Sequence, residues 1–157
     1  MTVRFDGVDE LNNMLHDIGS LDNGNVTDMM LKKGKKVVEK KWNEEIEVKN
    51  HIHTGLMMKK VKSTKIKANK YGKFLSTFPQ GEDTTYVNKK GETKKRKKPI
   101  RNAEKAFYLH YGWFMHGGMH LIKGDHFVDK IETESIDETS EEMAKVLNDF
   151  LRNKGAM

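Results

Sequence analysis

The side chains best suited to chemistry in this chain are its seven histidines. His51-x-His53 sets two imidazoles on one side of an extended segment, and His110, His116, His120 and His126 gather downstream. A zinc centre needs three or four converging ligands, commonly with a thiolate or carboxylate among them. The chain has no cysteine and no His-Glu-x-x-His pattern, so these histidines are read as loop and interface residues rather than metal ligands. Glu132, Glu134, Asp137, Glu138, Glu141 and Glu142 form an acidic tract. Paired carboxylates do acid–base work only in a pocket that shifts their pKa, and this tract reads as the solvated face of a terminal helix. Gly112 to Gly118 lacks the lysine and spacing of a phosphate-binding loop, and no Gly-x-Ser-x-Gly elbow occurs. The sequence therefore predicts no catalytic residue, no cofactor and no metal.

The one strong binding signal is cationic. Lys94, Lys95, Arg96, Lys97 and Lys98 run together, with Lys89, Lys90 and Arg101 close by. Such a cluster can neutralise phosphates in a sequence-independent, salt-sensitive way, or hold an acidic protein surface. Tyr71 and Tyr86, the aromatics that might stack bases, are not interleaved with it, which weakens single-strand recognition, and a solvated surface or an assembly contact is favoured over nucleic acid. Residues 88–100 carry many like charges and almost nothing apolar, so they are expected to form a mobile basic loop.

Positioning these groups falls to a 157-residue chain, the usual size of one domain. It is 36% hydrophobic and 33% charged, with a net charge of +6. A thin core is expected, of the kind completed by neighbours in an assembly. Basic segments lie at 32–41, 59–73 and 89–101, and acidic residues concentrate at 125–142. This asymmetry suits an acidic partner, or head-to-tail pairing between copies. The lack of cysteine fits a reducing compartment. No secretory leader and no apolar run near the ~20 residues needed to cross a bilayer is seen. The reading is a protein made in a cytoplasm, with no membrane partner.

Val8, Leu11, Leu15 and Ile18 recur at helical spacing up to Gly19. A longer helix follows, with Val26, Met30, Val37, Val38, Lys41, Trp42 and Ile46 on one face. Gly34 interrupts that face, where glycine costs about 1 kcal/mol relative to alanine, so close approach of another backbone is expected there. The narrow stripe needs a sheet or a second helix to cover it. Alternation then predicts strands from Leu56 to Val61, continuing over 63–68, from Tyr71 to Phe78, and over 84–87. The apolar run 103–113 fits either strand or helix. Phe127, Val128 and Ile131 open a last helix whose stripe returns at Met143, Val146, Leu147, Phe150 and Leu151. Neither an internal repeat nor a second domain is evident over 1–157.

The order of motifs resembles the head–tail connector family of long-tailed phages and prophages, the neck or tail-completion proteins. The matching elements are Gly7-Val8-Asp9-Glu10-Leu11, the step Thr54-Gly55-Leu56, the segment Ala106-Phe107-Tyr108-Leu109-His110-Tyr111-Gly112-Trp113, and His126-Phe127 before the final helix. The family favours Glu at the place of His110, Thr at that of Trp113, and a Pro between the last pair. The resemblance implies an α+β subunit with a small, mostly antiparallel sheet packed on a long helix and helices at both ends. It also implies an assembling structural protein, not an enzyme, at the head–tail junction of a virion, made in the host cytoplasm. Its partners would be copies of itself in a ring, hexameric in the family, other neck and tail proteins, and DNA in the channel.

Overall fold

The computed structural model describes residues 25–49, 51, 55–70, 72–114 and 120–153. The helix expected over 8–18, with Gly7 and Leu11, lies outside them, as do His53, Thr54, Tyr71 and His116.

The apolar stripe centred on Trp42 does form a helix, α1 (Asn25–Val48), which buries Val26, Gly34, Val37, Trp42, Glu45 and Ile46. Its cover is chiefly the C-terminal helix α4 (Phe127–Asn153), which buries Phe127, Ile131, Ser135 and Val146. Gly34 is the point of tightest approach. A Cβ there would stand 2.9 Å from Thr139 Cγ2 and 3.2 Å from Met143 Sδ, both on α4, so the expected close approach is made by side chains of the partner helix. Lys41, read as part of the apolar face, is half-buried and lays its stem along the seam, its ammonium 3.6 Å from Glu44 and 3.8 Å from Glu138. Trp42 is 6% exposed and Phe127 is 0% exposed. Their rings meet edge to face, 5.6 Å between centroids, a favoured aromatic arrangement. Ile46, Met57, Val61, Ala106 and Ile131 complete this core.

The fold is α+β as expected, with one refinement. The strands do not make a continuous sheet; they form four two-stranded antiparallel ribbons. After a single helical turn, α2 (Leu56–Lys59), come β1 (Val61–Ser63), β2 (Lys67–Asn69), β3 (Gly72–Phe74) and β4 (Thr77–Pro79), pairing β1 with β4 and β2 with β3. These two ribbons are one hairpin with a break. Thr64 N–H donates to Ser76 O at 2.8 Å between them. Three residues of the outgoing strand (64–66) face two of the returning one (75–76), a one-residue irregularity of the bulge type. Hence the long strands expected over 63–68 and 71–78 are each split in two.

Leu56 to Lys59 corrects another expectation, that of a strand. Gly55 sits at φ +67°, and Lys59 N–H reaches back to Gly55 O at 3.1 Å. That bond closes a turn of helix, and Met57, rather than Leu56 or Met58, becomes the buried residue. Alternation over four residues cannot separate one helical turn from a strand.

Polar contacts hold the hairpin to α1. The Glu39 carboxylate accepts bonds from Ser63 N–H at 2.8 Å and Ser63 Oγ at 2.7 Å, and Lys73 Nζ donates to Asp28 Oδ1 at 2.8 Å. The chain continues through β5 (Glu82–Val87), β6 (Thr93–Arg101), α3 (Asn102–Tyr111), β7 (Gly112–Phe114) and β8 (Leu121–Lys123) into α4, with β5 pairing β6 and β7 pairing β8. The run 103–113 is thus helix for most of its length and strand only at its end.

Candidate functional site

The basic residues expected on a loop stand on a strand. β6 holds Lys94, Lys95, Arg96, Lys97, Lys98 and Arg101, and only 88–92 remain as the turn that carries Lys89 and Lys90. Two features make this hairpin. Asn88 organises the turn: its side-chain Oδ1 accepts the N–H groups of Lys90 and Glu92 at 2.9 Å each, a local competition that favours turns. Arg96, the half-buried cation of the run, folds back onto β5, donating from Nε to Thr85 O at 2.9 Å and placing its guanidinium 5.4 Å from the centroid of the Tyr86 ring. The ladder is interrupted where 96–99 oppose Thr84 alone. Pro99, which has no N–H to give a ladder, falls in that interruption. Lys95, Lys97, Lys98 and Arg101 are exposed and make no ion pair among the described residues, while Lys94 lies 3.4 Å from Glu92.

Beside the hairpin, α3 shows two unlike faces. Asn102, Ala106 and His110 are buried at helical spacing. Phe107, Tyr108 and Tyr111 point outward, and Trp113 and Phe114 on β7 and Leu121 on β8 are exposed as well. Tyr111 is 59% and Phe114 67% exposed. An open cleft of about 820 Å³ runs between the hairpin, α3 and β7, with Tyr86, Ile100, Tyr108, Trp113 and Phe114 on its walls. At its edge the fully buried Asp83 carboxylate pairs with Lys105. Burial pushes the Asp83 pKa up, but bonds from Lys105 Nζ and from Thr85 N–H outweigh it and hold the group below the usual carboxylate value.

Gly112, singled out as a motif residue, owes its identity to sterics. Its φ is +90°, and a Cβ would lie 2.3 Å from Ile122 O and 2.7 Å from Gly124 N. No side chain fits where α3 passes into the β7–β8 ribbon.

The structure brings some histidines together and not others. His120 is exposed. His51 Nε2 lies 2.9 Å from Asp125 Oδ2, with its ring against Phe127. His110 and His126 meet Asp129, with one ligand-type atom of each within 4.8 Å of the others. The hydrogen bonds decide how this triad works. His110 Nδ1 accepts the amide of Val128 at 3.3 Å. Its lone pair is thereby used, so in the neutral ring the hydrogen sits on Nε2, which faces Asp129 Oδ1 at 3.5 Å. A ring held in that tautomer presents no lone pair to a cation inside the triad. The arrangement instead satisfies the otherwise unpaired amides at the start of α4, together with Asp125 Oδ1, which accepts Phe127 N–H at 3.3 Å. The buried His110 thus ties α3 to α4.

Of the remaining motif residues, Trp42, Ala106 and Phe127 are in the core, Leu56 is half-buried in α2, Gly55 sets its start, and Tyr108 and Tyr111 are on the surface. Sequence reasoning missed the Asp83–Lys105 pair, the capping role of His110 and the cleft. The spacing Asp83-x-Thr85, which lets the carboxylate take the amide two residues on, was the available signal for the first. The acidic tract divides: Glu138 lies toward Lys41 and Glu134 joins Lys130 at 3.4 Å, whereas Glu132, Asp137 and Glu141 stay exposed. Among the described residues, no helix is long and apolar enough to cross a membrane. In comparisons with known proteins the chain matches no family model, no curated protein and no solved structure.

Proposed function

We propose that this protein is a structural assembly subunit of the phage neck or tail-completion type, forming an oligomer or ring at a head–tail junction and joining tail to head without catalysing a reaction. The observation that carries this reading is the set of exposed apolar side chains on α3, β7 and β8: Phe107, Tyr108, Tyr111, Trp113, Phe114 and Leu121. Apolar patches of this kind mark contact with another protein. Among the described residues each strand pairs with one other strand only, an arrangement that leaves sheet edges for neighbours to extend. The motif order described above supplies the particular assembly. In a ring, copies and adjoining neck or tail proteins would cover these surfaces, and DNA would pass through the channel.

The test is sedimentation velocity and negative-stain microscopy of the purified protein, followed by capture assays with the proteins encoded beside it. The expected result is a closed oligomer, or a stable complex with a portal-side or tail-side neighbour. A strictly monomeric protein that binds none of those neighbours would overturn the reading.

A second reading, nucleic-acid binding through the β5–β6 hairpin, is favoured by its exposed lysines. A two-stranded ribbon fits a major groove. It predicts duplex DNA binding that falls steeply as salt rises and falls again when 94–98 are neutralised. No mobility shift at low salt would remove it.

A further inference from the structure

We infer that the open cleft between the β5–β6 hairpin, α3 and β7 receives the N-terminal segment of a neighbouring copy, residues 1–24, by its apolar stripe. This rests on the assembly reading above and names the parts that join one subunit to the next.

The cleft is apolar in its walls and cationic in its charged groups. Met57, Tyr86, Ile100, Leu109, Trp113 and Phe114 supply apolar surface. Arg96 and Lys105 line it too, and β6 carries Lys94, Lys95, Lys97 and Lys98 on either side of Arg96. Among the described lining residues the single carboxylate is Asp83, which is fully buried and paired with Lys105. An occupant suited to this cleft is apolar where it enters and acidic overall.

Residues 1–24 have that chemistry. Val8, Leu11, Leu15 and Ile18 take the spacing of a helix that lays one face in a groove. A helix over 8–18 is about 15 Å long, too short to hold its form in water without cover, and α1 and α4 already cover each other. The segment holds five carboxylates, Asp6, Asp9, Glu10, Asp17 and Asp22, against one arginine, Arg4, and no lysine. That charge, opposite to the hairpin's, draws the two together at a distance, and burial of the stripe holds them. The reach of the chain selects a neighbour's cleft. The cleft's His51 follows α1, and α1 places Asn25 about 35 Å from Val48 at the helical rise. Residues 19–24 extend to roughly 20 Å even when drawn straight, and Asp22-Asn23-Gly24 favours a turn there. Ile18 therefore falls short of the His51 wall of its own chain. A segment of one copy in the cleft of the next is a heterologous contact, which repeats head to tail and closes into a ring where the rotation permits.

Photo-crosslinking identifies the occupant directly. Phe114 lies on the cleft wall and is 67% exposed, so the photoreactive p-benzoylphenylalanine is placed there in the full-length chain. This chain is mixed with an isotope-labelled copy, irradiated, and the products are mapped by mass spectrometry. The expected product joins a labelled to an unlabelled chain and maps to residues 8–18. In a second full-length chain, L11D/L15D, that product should disappear and self-association by sedimentation velocity should weaken about a hundredfold, with circular dichroism to verify folding. If L11D/L15D unfolds, the crosslink map of the unsubstituted segment decides. A product that joins position 114 to 8–18 within one chain overturns the exchange, because the segment then covers its own cleft. An oligomer whose products lie only outside 1–24, or that gives none, overturns this contact and leaves the assembly reading standing. A chain that stays monomeric and gives no product between copies overturns both.

Discussion

The seam between α1 and α4 and the surface made by the β5–β6 hairpin with α3 use similar residue types to opposite ends. At the seam, Trp42 and Phe127 exclude water and the charges pair across it, as Lys130 does with the buried Glu45. On the hairpin, Lys95, Lys97 and Lys98 make no ion pair among the described residues, and Phe107 and Tyr111 on α3 and Phe114 on β7 lie open. An aromatic residue therefore says little by itself about its job. What separates the two regions is whether a second element of the same chain lies opposite. Helices of 24 and 27 residues offer each other long faces, whereas a two-stranded ribbon covers only one side of what it meets.

Substitutions can break this contrast at the seam first. Trp42→Ala should cost about 3–5 kcal/mol, the usual penalty for emptying a buried aromatic site, measured by chemical denaturation. A loss under about 1 kcal/mol would mean that the α1–α4 seam is not the core.

Asp83→Asn comes next and probes the border between the regions. It leaves Lys105 facing a neutral amide, and since that ammonium is partly exposed the cost should be about 2–3 kcal/mol, below the range for a fully enclosed pair. The folded-state pKa of Asp83 is lowered. Its contribution is thus complete above the unfolded value of roughly 3.9 and is lost as pH falls through the lower folded value. Unfolding curves taken from about pH 5 to pH 2 should show a steeper acid loss for the native chain than for Asp83→Asn. Parallel curves would contradict the pairing.

His110→Phe keeps the ring volume and removes the Nδ1 acceptor. Loss of a helix cap of this kind costs about 1–2 kcal/mol. Thermal melts should show that loss equally with and without chelator or added zinc. A metal-dependent melting temperature in the native chain would contradict the capping assignment. The smallest stability effect belongs to the exposed hairpin. Alanine at Lys94, Lys95, Lys97 and Lys98 should change unfolding free energy by no more than about 0.5 kcal/mol per site. A large stability loss there would erase the distinction between the two regions.

The legibility of the sequence follows the same division. The face of α1 was readable because helical spacing from Val26 to Ile46 repeats over many turns, and Trp42 lies on it. The stripe Met143, Val146, Leu147 identified α4 for the same reason. The pairing of those helices was not readable, because each needs cover and neither pattern says from where. The strand β6 was hidden: its residues are nearly all cationic, its order comes from the β5 backbone and from Arg96 folding onto Tyr86, and like charge argued for a loop. The segment from Ala106 to Trp113 stood out by composition, but its division into a buried face with His110 and an open face with Tyr111 depends on which neighbours cover it. The capping role of His110 depends on the amide of Val128, eighteen residues away.

The most direct measurement is sedimentation velocity of the unaltered protein across a concentration series at about 50 mM and about 500 mM salt, where screening lengths differ severalfold. The expected result is one closed oligomer that forms as concentration rises and persists at both salts, because burial of apolar surface is not screened, with the helical signal unchanged throughout. A monomer at every concentration would contradict the assembly reading.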